Sequence, residues 1–241
     1  ISINYLSKIE NNRIKNVGVL ITFRLAKALG VTSGYLMGQE DMNELLDEEI
    51  LGRLAECSPA DKKKILKIID IMAPLWPYAG PGHWNDADML QVGNGDLTYD
   101  ENVMHFSMWC MLASPLIVGC DLRNIDKKIL DILTNKEAIA INQDKLGKQG
   151  RMFERSGRYH ETWIKELSDG RIALCFLNKD EKEWSLDYHF WGFDIIGIDR
   201  TYDHYIVRDV WKHQDIGDTG DRYSFKVPAH GVVLLCLVPK Q

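Results

Sequence analysis

Asp86 and Asp88 stand two residues apart in GPGHWNDADMLQVGNG, residues 80–95. Two carboxylates suggest the acid and base of a hydrolase. If the segment is extended, both leave the same face with Cα atoms roughly 6.5 Å apart, at about 3.3 Å of rise per residue. A retaining glycosidase holds its two carboxyl groups about 5–5.5 Å apart, one to attack the sugar and one to protonate the leaving oxygen. Those groups flank the scissile bond, which side chains leaving one strand in one direction do not. Two readings stand. One carboxylate accepts hydrogen bonds from substrate hydroxyls while the other locks the loop, or both satisfy turn amides.

The elements that position this stretch form three segments. Residues 1–74 read as short helices. Ser2 caps the first, with Tyr5, Leu6 and Ile9 at helical spacing, and a second buries Leu20, Phe23, Leu25 and Leu29 before Gly30. Ser58-Pro59 starts a third, whose apolar face is Ile65, Leu66, Ile68, Ile69 and Met72. Pro74, Pro77 and Pro81 then mark a boundary. Residues 75–146 read as strand, helix, strand, helix: a short strand before Trp84, a helix in ENVMHFSMWCMLAS, a strand in PLIVGC and one helix in KKILDILTNKEAIAI. Alternation of this kind predicts parallel strands. The first of these helices is apolar nearly all round, so burial on more than one side is expected. Residues 147–241 are strand-rich. HETWIKEL and RIALCFLNK flank Ser168-Asp169-Gly170, a hairpin signal, and YIVRDVWKH, RYSFKV and GVVLLCLV follow, which predicts an antiparallel sandwich.

The composition of the 241 residues is that of a globular chain, 45% hydrophobic with net charge −6. No apolar run approaches the roughly 20 residues of a membrane helix, so no membrane partner is expected. The five cysteines lack a CxxC pair, which argues against a disulfide framework or a zinc site and for a reducing cytoplasm, and no metal or other cofactor is expected. The start, ISINYLSKIENN, has no export-signal pattern. Its first residue is isoleucine, and the expectation is a processed chain or one that begins inside a longer reading frame.

AGPGHWNDADML, VGNG, ASPLIVGCDLRN and LTNKEAIAINQDKLGKQG, in this order and spacing, resemble the melibiase-type α-galactosidases. YIVRDVWKHQDIG and VPAHGVVLLCLVP resemble the end of their β-domain, so the likeness runs over roughly residues 77–241. Ala87 stands where the family commonly has proline. The resemblance implies the last two βα units of a (β/α)₈ barrel followed by an antiparallel β-sandwich, with retaining hydrolysis of terminal α-galactosides. It places Asp86–Met89 at the carboxyl end of the seventh barrel strand, facing the pocket. Asp88 matches the ligand of the galactose hydroxyls and Met89 a neighbouring pocket residue, with Trp84 and Asp86 in the same motif. The family's nucleophile and acid/base motifs have no counterpart before Gly80, and LRNIDKK, around Arg123 and Asp126, aligns after the eighth strand. The expectation is half of a galactose pocket with no catalytic residue. Unpaired barrel edges are expected to seek other chains.

Residues 1–39 carry Lys8, Arg13, Lys15, Arg24 and Lys27 against Glu10, a net +4. ISINYLSKIENNR and LAKALGVTSGYLMGQED resemble part of a phage-repressor helix-turn-helix domain, and SPADKKKILKIIDIM the helix that follows it. That likeness places Ile3, Asn4 and Lys8 at base-reading positions, with Arg13 and Lys15 on phosphates. Without it, these charges read as a solvated helix face. Three readings follow, in order. The chain is the C-terminal part of an α-galactosidase joined to a regulator fragment. It is a sugar-responsive DNA-binding regulator that keeps a hydrolase pocket as sensor. It is a working enzyme that completes its pocket from a second chain or from other carboxylates.

Overall fold

The computed structural model describes residues 59–190 and 204–240. Helix α1 spans Pro59–Met72, and its predicted Ser58 cap lies outside the described residues. The predicted apolar face is seen: Ile65, Ile69 and Met72 are buried, and Leu66 and Ile68 pack beside them. The helix ends where Pro74 is reached, and the chain continues as a 3₁₀ turn over Ala73–Tyr78.

Helix α2, Tyr99–Leu112, starts from a capping box: the Thr98 hydroxyl accepts from the Glu101 amide, and the Glu101 carboxylate accepts from the Thr98 amide. It is buried from Glu101 to Leu112 and packs against α1, the two helices that follow it, and the sheet, as its all-round apolar sequence requires. Those two helices are α3, Lys127–Leu133, and α4, Lys136–Asn142. One continuous helix was expected there. Asn135 breaks it, because its side-chain oxygen caps α4 through the Glu137 and Ala138 amides while its Nδ2 donates to Val210 O in the β-domain.

The expected parallel strands are reduced to a single bridge, Leu90 with Val118. Leu90 N donates to Ile117 O at 2.8 Å and Gly119 N to Leu90 O at 3.1 Å. PLIVGC is not a strand, because the pair has no further neighbour among the described residues to extend the ladder. The predicted strand before Trp84 is instead a tight turn, with reciprocal 3.0 Å bonds between Gly80 and His83.

The rest is antiparallel. Strands β1 (Arg151–Ser156), β2 (His160–Glu166), β3 (Ile172–Asn178), β4 (Trp184–His189), β5 (Tyr205–Asp209), β6 (Gln214–Asp218), β7 (Arg222–Val227) and β8 (Val232–Pro239) form two sheets. One has the order β1-β2-β3-β8-β5-β6 and the other pairs β4 with β7. The β2–β3 hairpin turns at the expected Asp169-Gly170, with Gly170 at φ 79°. Alternation in β3 explains its unbroken apolar sequence. Ala173, Cys175 and Leu177 join the core under α2, whereas Ile172, Leu174 and Phe176 join the core between the sheets. With both faces covered, every residue of β3 is buried.

Among the described residues, Cys110, Cys120, Cys175 and Cys236 are free thiols, and no helix is long and apolar enough to cross a membrane. The residues expected to read DNA, Ile3, Asn4, Lys8, Arg13 and Lys15, lie outside the described residues, as do the helices expected over residues 2–30.

Candidate functional site

The stretch around Asp86 and Asp88 is a loop pinned from below. Trp84, Asp86, Asp88 and Met89 are exposed, whereas Asn85 is half-buried and Ala87 and Leu90 are buried. Asn85 Nδ2 donates to Leu75 O at 2.7 Å and to Gln149 Oε1 at 2.8 Å, and Gln149 Nε2 donates to Met72 O at 2.7 Å. Ala87 N donates to Ser114 Oγ, and that hydroxyl donates to Asn85 O. The inward residues thus tie the loop to the 3₁₀ turn, to the end of α2 and to the start of the β-domain. The outward residues are left free to meet a ligand.

The carboxylates divide their oxygens. Asp86 Oδ1 accepts from Asp88 N at 2.8 Å, and Asp88 Oδ1 accepts from Met89 N at 2.7 Å. The chain is not extended at this point, because Asp88 has φ 73°, a left-handed conformation that a non-glycine residue adopts at a cost. Each aspartate commits one oxygen to a turn amide, as the second reading of the pair expects, and both residues are exposed. The turn closes at Gly93, φ +86°, where a Cβ would come within 2.8 Å of Ile129 Cγ2 on α3. Only glycine fits that conformation and that approach.

In and beside LRNIDKK, residues 122–128, Asp126 and Asp121 are both engaged by local partners. Three side-chain bonds from Arg123 and one from its amide hold the Asp121 carboxyl down to about 2. Asp126 caps α3 by accepting from Lys128 N at 2.7 Å. The structure thus brings Trp84, Asp86, Asp88 and Met89 together on one loop and gives Asp126 a structural task. Asn102, His105 and Trp109, which bond the loop from α2, were not singled out by the sequence, although two polar residues inside an apolar helix are a visible signal.

Two family models match the chain. "Alpha galactosidase A" matches residues 60–144, and "Alpha galactosidase C-terminal beta sandwich domain" matches residues 157–237. Over these residues the chain matches the C-terminal part of the melibiase-type α-galactosidases with its β-sandwich domain. The first match takes in α1, whose sequence also resembles the helix that follows a helix-turn-helix domain, and α1 shares its core with α2. Alpha-galactosidase A of Cellvibrio japonicus is 44% identical over 193 residues, covering 73% of this chain and 44% of that protein. Among solved structures, α-galactosidase I of Mortierella vinacea superposes with TM-score 0.67 at 31% identity, over 73% of this chain and 45% of that one. The α-galactosidase of Saccharomyces cerevisiae, solved with raffinose, superposes with TM-score 0.65 at 26% identity, over 73% and 51%. The chain therefore spans about half the length of the α-galactosidases it matches, or less.

Proposed function

We propose that this chain carries the galactose-binding part of a glycoside hydrolase of the α-galactosidase type, a retaining activity on terminal α-galactosides. The observation that carries this reading is the outward display of Trp84, Asp86, Asp88 and Met89 on a loop fixed by buried hydrogen bonds. A carboxylate there accepts from sugar hydroxyls, and the exposed indole of Trp84 offers an apolar face to a pyranose ring. The two aspartates leave one loop together, so they do not flank a glycosidic bond, and catalysis needs carboxylates from elsewhere. In this reading residues 75–146 are the C-terminal quarter of the barrel and 147–241 the β-domain. The free thiols support a reducing, cytoplasmic setting.

Two measurements on the purified chain test this. Galactose titrated against the ¹⁵N-labelled protein is expected to shift the amides of Asp88 and Met89, and Asp88→Asn is expected to remove the effect. A chromogenic α-galactoside is expected to release nitrophenol no faster than with that variant. Absence of the shifts would overturn the binding site, and turnover abolished by Asp88→Asn would overturn the claim that the chain is not catalytic by itself.

A second reading rests on the net +4 of residues 1–39 and their likeness to a helix-turn-helix. In it the chain is a DNA-binding regulator, or a regulator fragment joined to the hydrolase part. Gel shifts at low salt, with and without galactose, are expected to show retarded DNA. No retardation under conditions where phosphate contacts are strongest ends this reading.

A further inference from the structure

We infer that Asn102, His105 and Trp109 are positioning residues that set the geometry of the galactose-facing loop. They lie at i, i+3 and i+7 on α2 and therefore share one face. The loop runs past that face in the opposite direction. Trp109 Nε1 donates to Asp88 O at 2.7 Å, His105 Nε2 accepts from Gln91 N at 2.9 Å, and Asn102 Oδ1 accepts from Gly93 N at 2.8 Å. Asn102 is itself fixed, because its Nδ2 donates to Leu97 O and Thr98 O. All three side chains are essentially fully buried. One helical face thus holds three backbone groups of the loop, and its first contact is on the carbonyl of the left-handed Asp88.

His105 is the most informative of the three. Nε2 can accept the Gln91 amide only in the neutral ring with its proton on Nδ1. That Nδ1 is buried and has no hydrogen-bond partner among the described residues. Its ring packs edge-on to Trp109, with centroids 4.0 Å apart. A buried donor left unpaired costs stability, and a protein core would be better served by an apolar side chain at this position. The ring remains useful for the other nitrogen, which fixes the loop. Burial also pulls its pKa down to about 3, so the accepting form persists over ordinary pH. The three residues touch no ligand; they act through Asp88, Gln91 and Gly93.

This inference rests on the galactose-site reading for its purpose, but its geometry is testable apart from it. In the full chain, ¹⁵N spectra are expected to show the His105 ring as the neutral Nδ1–H tautomer from pH 5 to pH 8. A protonated ring or the Nε2–H tautomer would overturn the inference without any variant. His105→Phe, which keeps the bulk and removes the acceptor, is expected to displace the Asp88 and Gln91 amide signals and to weaken galactose binding about tenfold, the scale of one buried hydrogen bond. His105→Gln, whose Oε1 reaches the same amide, is expected to restore both. Wild-type signals and affinity in His105→Phe would overturn the inference, and so would a His105→Gln chain that folds but behaves like His105→Phe. If the wild-type chain binds no galactose, the proposed function fails, while the tautomer and the amide signals still decide the positioning role.

Discussion

Glu161→Leu is expected to lower the free energy of unfolding by about 3–5 kcal/mol, the usual cost of removing one partner from a buried ion pair. Glu161 is 1% exposed, on the face of β2 that meets the helices. Its Oε1 accepts from Arg155 Nη2 at 2.6 Å and from Lys179 Nζ at 2.7 Å, and its Oε2 accepts from Trp163 Nε1 at 3.0 Å. Lys179, itself nearly buried, also reaches Asp70 on α1 at 2.6 Å. Leucine fits the site in size but leaves the ammonium with one exposed partner and the indole N–H with none. Against a total stability of about 5–15 kcal/mol, this is a large fraction. Urea unfolding curves check it, with a midpoint lowered by about 1 M or more. Lys179→Met in the same chain is expected to recover part of the loss by removing the stranded charge. A single-variant loss below about 1 kcal/mol would show that the cluster is solvated and that α1 is not fastened through it.

How far the sequence reveals this structure depends on what decided each element. The antiparallel hairpin at Asp169-Gly170 and the double-sided β3 were legible because local turn chemistry and an unbroken apolar run agree. Strands β1 and β6 were not, because they lie at the sheet edges, where RMFERS and QDIGD show little apolar alternation. β4 was readable, since Trp184, Leu186 and Tyr188 alternate with exposed Ser185, Asp187 and His189, and it was missed. So was the capping box of α2, spelled by Thr98 and Glu101. The break between α3 and α4 was hidden, because Asn135 is held by Val210, 75 positions away. In the candidate site, the outward aspartates were visible in the motif. The left-handed turn at Asp88 was not, because a tryptophan on a later helix helps to hold it.

The second large effect has the opposite sign. Lys165→Met is expected to stabilise the chain at pH 7 by about 1–3 kcal/mol, by removing a buried charge in favour of a side chain of similar length. Lys165 is 2% exposed on β2, and its Nζ donates to Cys110 O at 3.0 Å in the last turn of α2. The carbonyl end of a helix welcomes a cation, and Asp144 adds attraction, yet burial dominates and pulls the lysine down to about 8. A lysine depressed from its ordinary 10.5 to about 8 costs the fold roughly 3 kcal/mol wherever both states are protonated, at 1.36 kcal/mol per unit. Below about pH 8 that penalty is fully present. Between about 8 and 10.5 the unfolded chain binds the extra proton, so the wild-type protein gains stability as pH rises. The buried thiols oppose this trend at higher pH. Burial pushes Cys110 up to about 12 and Cys236 up to about 11, so the unfolded chain loses those protons first, from about pH 9. The window for seeing Lys165 is therefore pH 8 to 9. Urea unfolding across it should show the wild-type chain gaining on the Lys165→Met variant. The substitution strands no acceptor, since Cys110 O also receives the Ala113 amide at 3.3 Å. A variant less stable than wild type at pH 7, with no narrowing of the gap toward pH 9, would mean that the helix terminus and Asp144 outweigh burial, and that Lys165 fastens α2 to the sheet.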